Sequence, residues 1–408
     1  MITNPQHPLQ CSTSPLERGV NNYYSIIQGI DIRMRSAVRE KRKSRVVRWF
    51  FVCPARHILM LLFAGITALY YALRTNRGVA QFFVDNLAIP YHRIAGRIFS
   101  IFAFSVAEWL YAIVIIAEIV YIIYCIIAII RRNNKLKQLY ITIISLAVAA
   151  LGIYVGACLL WGVCYYGAGF SDKSGLAAAP VDAESLAEVT MYFAVAANDY
   201  ADKVSRDENG LFNEDEKAYF DAGAGLYENV SSIYPFLDGA ELRPKPMVFS
   251  KVLSYMNFTG FFFAFTGEAN LNTDSSACLI PATIAHEIAH QRGIASEDEA
   301  NFVGILAAME SGDEVYIYSA ALLAYTYLGN ALHTVDYDGW FEVYERLHET
   351  VRADLRSVND YWDNYHTKVA DASEAVYSGF LQGQGQELGI RSYGACVDLL
   401  VAYYGNAE

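Results

Sequence analysis

Two histidines flank a glutamate in the run TIAHEIAHQRGIASEDEANF (283–302), at His286, Glu287 and His290. Residues four apart share a helix face, so the two imidazoles converge on one point with Glu287 beside them. Such a pair suits Zn2+, which takes imidazole nitrogen and carboxylate oxygen as ligands. Zinc lowers the pKa of a water it holds to about 7, and a neighbouring carboxylate can take that water's proton as it attacks a peptide carbonyl. The HExxH pattern therefore predicts metal ligands at His286 and His290 and a general base at Glu287. The plainer alternative is a helical hairpin whose polar residues fall this way by chance.

The residues just downstream bear on the choice. Gly293 follows the helix where a left-handed cap would turn the chain. Ser296 and Glu299 then form S-x-x-E, a capping box opening a second helix, and Asp298 suits the positive end of its dipole. Glu297, at the first position of that helix, either folds back as a third metal ligand or stays a solvated first-turn acid. Asn301 lies one turn on and is placed to orient a ligand histidine through its other ring nitrogen. Tyr393, in RSYG, is a candidate donor to the oxyanion of a tetrahedral intermediate, with His333, His348 and His366 behind it; a structural role is the alternative for each.

The elements that must carry these residues follow from composition. Of 408 residues, 54% are hydrophobic, high for a water-soluble enzyme. Residues 1–164 hold 18 Lys and Arg against 6 Asp and Glu, whereas residues 165–408 hold 13 against 37. A basic, membrane-facing part thus precedes an acidic, water-facing one, and the acidic part would repel nucleic-acid phosphates. Three apolar runs, at 57–73, 109–130 and 139–163, have lengths suited to transmembrane helices. Basic residues before the first (Arg33, Arg35, Arg39, Lys41, Arg42, Lys43, Arg45 and Arg48) and between the second and third (Arg131, Arg132, Lys135 and Lys137) assign both segments to the cytoplasm. Three crossings then leave everything after about Tyr165 outside it, with Trp109, Trp161, Tyr165 and Tyr166 at the outer interface. No cleavable signal peptide is apparent ahead of the first run.

The expected organisation is a basic N-terminus (1–56), a membrane region (57–164) and an extracytoplasmic domain (165–408). Within the last, helical periodicity runs through 181–204, 282–292, 297–311, 315–332, 339–364 and 392–404. The aromatic-rich stretch 247–272 reads as strand. Val315–Leu332 is apolar but lacks basic flanks, so it reads as a buried helix of the globular core. Seven cysteines suggest no disulfide framework, and a single Cys278–Cys396 bridge is left open.

HExxH followed by Glu297-Asp298-Glu299-Ala300-Asn301 resembles the gluzincin peptidases, in which a glutamate on a second helix completes the zinc site and an Asp or Asn one turn later supports a histidine. Here the second helix follows almost at once, where those peptidases usually have a longer insertion. In zincins a strand ahead of the HExxH helix pairs with extended substrate; by that analogy TGFFFAF (259–265) is this strand, an ordinary core strand being the alternative. A fuller resemblance joins the basic N-terminus, the three apolar runs, FSVAEWLY (104–111), WGVCYY (161–166), GFFFAFTGEANLN (260–272), the HExxH helix with EDEANF, and GIRSYGACVDLLVAYY (389–404). These are similar to the bacterial domain of unknown function 3810 family. Near Ala375–Gln382 the chain departs from that family's pattern, and no role is carried over there.

The resulting expectation is a mainly α protein: three N-terminal transmembrane helices, then a mostly helical, zincin-like α+β domain with a small sheet. Its expected function is that of a membrane-anchored zinc metallopeptidase, with the lipid bilayer and a peptide or protein substrate as partners and no nucleic acid. A non-catalytic sensor or scaffold with a zinc-stabilised helical domain is the alternative.

Overall fold

The structure, a computed structural model, describes residues 31–35, 47–131, 133–178, 181–386 and 393–405, with the side chain of Tyr393 outside the description. Five of the basic residues used for orientation, Arg39, Lys41, Arg42, Lys43 and Arg45, fall outside it, as does Arg132. Two compact units emerge, one of residues 1–62 and 125–149, the other of residues 63–124 and 150–408. In the first, His57 meets the Tyr140 hydroxyl through Nε2 at 2.6 Å, and Trp49 packs edge-on to the Tyr140 ring.

The helices from Pro54 onward begin with α1 (Pro54–Leu73), α2 (Arg77–Phe83), α3 (Ile89–Phe99), α4 (Val106–Arg131) and α5 (Lys135–Leu160). Of these, α1, α4 and α5 are long and apolar enough to cross a membrane. Then come α6 (Phe170–Ser174), α7 (Ala183–Ala201), α8 (Glu216–Ala222) and α9 (Glu228–Ile233). A small sheet follows, formed by β1 (Lys245–Pro246), β2 (Gly260–Phe263) and β3 (Glu268–Leu271), with α10 (Ser250–Tyr255) between its first two strands. The remaining helices are α11 (Ile280–Gln291), α12 (Glu297–Met309), α13 (Glu314–Val335), α14 (Tyr337–Arg346), α15 (Glu349–Asp363), α16 (Lys368–Gly383) and α17 (Tyr393–Tyr404). The protein is mainly helical with a small sheet, as its sequence leads one to expect.

The core of the second unit forms where α7, α11, α12, α13 and α17 bury their apolar faces together. Val315–Leu332 lies inside α13, whose Tyr316, Tyr318, Leu322 and Leu328 are fully buried there. Ser319 of α13 fixes the start of α11, since its hydroxyl accepts from the Ala282 amide and donates to the Cys278 carbonyl. α11 stops where expected: Gly293 takes φ +92°, a left-handed conformation that glycine adopts without steric cost. α12 then crosses α11 closely at Gly304, where an added Cβ would come within 2.8 Å of the His286 backbone nitrogen.

Several readings of the sequence are corrected. Ser296 and Glu299 form no capping box; the Glu299 carboxylate instead accepts from the Phe170 and Ser171 amides at the start of α6. Part of the stretch read as strand, Ser250–Tyr255, is helical. The span 339–364 is broken into α14 and α15, because Asn198 draws the chain out at the break: its side chain donates to the Arg346 carbonyl and accepts from the His348 amide. Helices α2, α3, α6, α8, α9 and α16 fall outside the stretches whose periodicity reads as helical. Cys278 and Cys396 are free and buried, and burial pushes both thiols up.

In the sheet β3 is central, parallel to β1 and antiparallel to β2, so β2 is an edge strand. The sheet is locked to the start of α4. Buried Glu268 accepts from the Val106 and Ala107 amides, two of the orphan donors at that helix N-terminus, while Ser105 donates to Asn270. Reciprocally, the Glu108 carboxylate accepts from the Val248 and Phe249 amides ahead of α10. The motifs FSVAEWLY and GFFFAFTGEANLN are therefore two halves of one joint. Glu268→Ala is expected to cost about 2–4 kcal/mol, since it takes the acceptor from the half-buried Val106 amide and the buried Ala107 amide and leaves the Thr266 hydroxyl only the Phe263 carbonyl at 3.5 Å. A thermal unfolding scan of the detergent-solubilised protein checks this, and an unchanged Tm would show that the joint carries no stability.

Candidate metal centre

One face of α11 presents His286 and His290, and the first turn of α12 brings Glu297 over them. His286 Nε2 lies 3.4 Å from Glu297 Oε2, and His290 Nε2 lies 3.6 Å from Glu297 Oε1. The potential ligand atoms of the three residues all lie within 4.8 Å of one another. Two ligands about 2.1 Å from a tetrahedral zinc ion stand about 3.4 Å apart, so the donor set fits such an ion in chemistry and in spacing. The immediate succession of the two helices, which departs from the gluzincin pattern, does not keep Glu297 away. Gly293 reverses the chain within a few residues, and Gly304 lets the helices approach.

Electrostatics within the cluster are those of opposed charges held away from water. Burial opposes protonation of His290, yet the Glu297 carboxylate outweighs it and raises His290 to about 9. Burial alone would raise Glu297, but His290 and His286 hold it well below the usual carboxylate range. A divalent cation would satisfy the same carboxylate with both imidazoles neutral. His290 Nδ1 lies 2.7 Å from the Ile294 carbonyl oxygen, which as an acceptor fixes the tautomer that leaves Nε2 free to ligate.

Glu287 is buried beside the cluster. Burial raises it to about 7 against the pull of both histidines, and the Phe262 amide donates to its carboxylate. Its Oε2 has no hydrogen-bond partner among the described residues. β2 passes directly over it: a Cβ on Gly260 would stand 2.9 Å from Glu287 Oε1 and 2.9 Å from the Asn270 carbonyl oxygen, which as backbone cannot give way, so glycine is required here. The cluster opens into a cavity of about 560 Å³ whose lining includes Trp161, residues 256–262, Thr283, Asn301, Trp362 and Tyr377.

A family model described as protein of unknown function (DUF3810) matches residues 86–401. The chain belongs to this family. No curated protein and no solved structure matches the chain. The DUF3810 match takes in the His286, His290 and Glu297 cluster, β2, the cavity and both halves of the Glu268 joint.

The other residues singled out in this DUF3810 chain are placed differently. Asn301 lines the cavity, but its side-chain oxygen accepts from Tyr327 at 3.3 Å and, among the described residues, bonds neither histidine; Ile294 takes the role expected of it at His290. Tyr393 begins α17, and its side chain lies outside the described residues. His333, His348 and His366 do not line the cavity: His333 packs on Trp340, His348 precedes α15, and exposed His366 faces Asp363. Two participants were missed. Tyr377 of α16, in the stretch to which no role was carried over, donates to Glu297 Oε1 at 2.5 Å. Trp161, read only as an interfacial aromatic, stands edge-on to His290 with ring centroids 5.4 Å apart. Neither carries a local signal, since each is brought to the site by a helix distant in sequence.

Proposed function

We propose that this DUF3810 chain is a membrane-anchored, zinc-dependent metallopeptidase with a zincin-like domain outside the cytoplasm. The observation that carries this reading is the convergence of His286, His290 and Glu297 next to a buried carboxylate with an unpartnered oxygen, at the wall of an open cavity. A zinc-stabilised scaffold has no use for a base beside its metal. The basic residues around the first apolar run support a cytoplasmic N-terminus.

The two histidines and Glu297 would hold the ion, which when bound supplies Lewis acidity and a water of pKa near 7. Glu287 receives the proton of the attacking water and can pass it to the departing amine. Tyr377 holds Glu297 in its ligating orientation. The edge of β2 offers the Gly260 amide and the Gly260 and Phe262 carbonyls to an extended peptide, the Phe262 amide being held by Glu287, and so fixes the scissile bond over Glu287.

Metal analysis of the purified full-length protein tests the reading. Near-stoichiometric zinc is expected in the wild type, with His286→Ala and Glu297→Ala each losing most of it and EDTA abolishing hydrolysis of a fluorogenic peptide. Equal metal in all three proteins, or none in any, would remove the catalytic reading.

A further inference from the structure

The orientation of β2 says where its substrate comes from. The Asn272 amide donates to the Thr259 carbonyl, which sets the alternation along the antiparallel pair. Main-chain groups of Phe261 and Phe263 face β3, whereas those of Gly260 and Phe262 face away, toward the cavity and Glu287. An extended chain pairing with β2 must therefore lie along this outer edge. One end of the edge is Gly260, over Glu287; the other leads to the turn joining β2 to β3.

That second end lies against the apolar helices. The Phe263 ring is 5.0 Å from that of Tyr111 in α4, and Phe261 packs on the same tyrosine at 6.2 Å. Beyond the strand, Phe265 packs where a Cβ on Gly156 of α5 would approach it to 2.8 Å, and its carbonyl accepts from Tyr91. Both α4 and α5 have 26 residues, about 39 Å of helix, against about 30 Å of hydrocarbon. Sharing the excess between the ends puts the bilayer boundary about three residues in, near Trp109 on α4 and Ala157 on α5. Tyr111 and Gly156 stand just inside it. At about 3.3 Å per residue, the path from Gly260 to Phe263 covers only about 10 Å.

Two further elements agree with that level. On α3, Tyr91, Ile94 and Ile98 form a stripe at helical spacing, and Ile94 and Ile98 are 59% and 56% exposed. In and just ahead of α10, Val248, Val252 and Tyr255 are likewise exposed, while the Glu108 carboxylate ties this segment to the start of α4. Apolar stripes continuous with membrane-spanning helices belong in the interfacial layer of the same bilayer.

Resting on the membrane-peptidase reading above, we infer that the substrate of this cleft is a bilayer-anchored polypeptide, taken as an extended segment where it leaves the membrane. A chain held at that point is already aligned with β2 and is presented at high effective concentration. A free peptide has neither advantage. Recognition through main-chain groups also tolerates varied side chains.

Capture by the inactive enzyme is the test. A photoreactive benzoylphenylalanine replaces Phe258 at the cavity wall, in full-length Glu287→Gln protein reconstituted in vesicles; a second placement at Met256 guards against misfolding at the first. The probes are a transmembrane helix followed directly by an eight-residue segment, the same helix and segment separated by a 20-residue Gly/Ser spacer, and the segment alone. The directly joined probe is expected to crosslink at least ~10-fold more than the other two. Equal capture of the three, preference for the spaced or free segment, or no capture at all overturns the inference. Capture needs neither hydrolysis nor zinc, so failure of the zinc reading shows separately, in the metal content and hydrolysis of the wild type.

Discussion

Glu287→Gln is expected to lower peptide hydrolysis by about 10²- to 10⁴-fold while zinc content stays at the wild-type level. The size of the loss follows from what the change removes. Glutamine keeps the length of the side chain and an oxygen able to accept from the Phe262 amide, so β2 and α11 keep their relation. It cannot take a proton from water. Because Glu287 is not among the three converging candidate ligands, metal should remain. The check is kcat on a fluorogenic peptide beside metal analysis of the same preparation. Hydrolysis within a few-fold of wild type would move the base elsewhere; zinc lost with activity would make Glu287 a ligand and Glu297 something else.

How far the sequence reveals this site depends on the range over which each relation acts. His286, Glu287 and His290 are related by helical periodicity alone, and Gly293 by the demand for a left-handed turn, so all four could be read within a dozen residues. Glu297 could be named but not distinguished from a solvated acid, because its position depends on how closely α12 crosses α11, and Gly304 decides that from seven residues downstream. Asn301 has suitable chemistry and spacing, yet it is the Ile294 carbonyl that meets His290 Nδ1, and a backbone acceptor leaves no trace in residue type. Glu299 shows the same limit. Its capping-box spacing is sound, but the amides at the start of α6, distant in sequence, compete for its carboxylate. Tyr377 and Trp161 were beyond local reading altogether. The three apolar helices were legible because crossing a bilayer is a requirement on composition and length; the short helices α2 and α3, of 7 and 11 residues, were not, since so few turns give little periodic signal.

The largest expected loss of stability lies away from the cleft, at Asp354. This residue of α15 is 1% exposed and accepts from Arg206 at 3.0 Å, from the Tyr318 hydroxyl at 2.5 Å and from the Phe212 amide at 2.9 Å. Arg206 is also bound to the Ala201 and Gly210 carbonyls, so one carboxylate ties the loop after α7 to α13 and α15. Asp354→Ala strands a largely buried guanidinium, a phenol and an amide together, which should cost about 3–5 kcal/mol and lower Tm by roughly 10 °C. Thermal unfolding of the solubilised protein measures it. Replacing both partners, Arg206→Met with Asp354→Leu, should recover only the part of the loss that comes from leaving one charge buried alone, since the Tyr318 hydroxyl and the Phe212 amide stay without an acceptor. A single-variant shift below about 2 °C would show that water reaches the site and relieves it. The contacts lead to the candidate metal centre through adjacent residues: Tyr318 anchors α13 to Asp354, and Ser319, the next residue, holds the first turn of α11. Below its own Tm the Asp354→Ala protein should still retain zinc, because the three ligands remain on intact helices; metal lost while the protein is folded would mean that α13 sets the ligand geometry as well as supporting it.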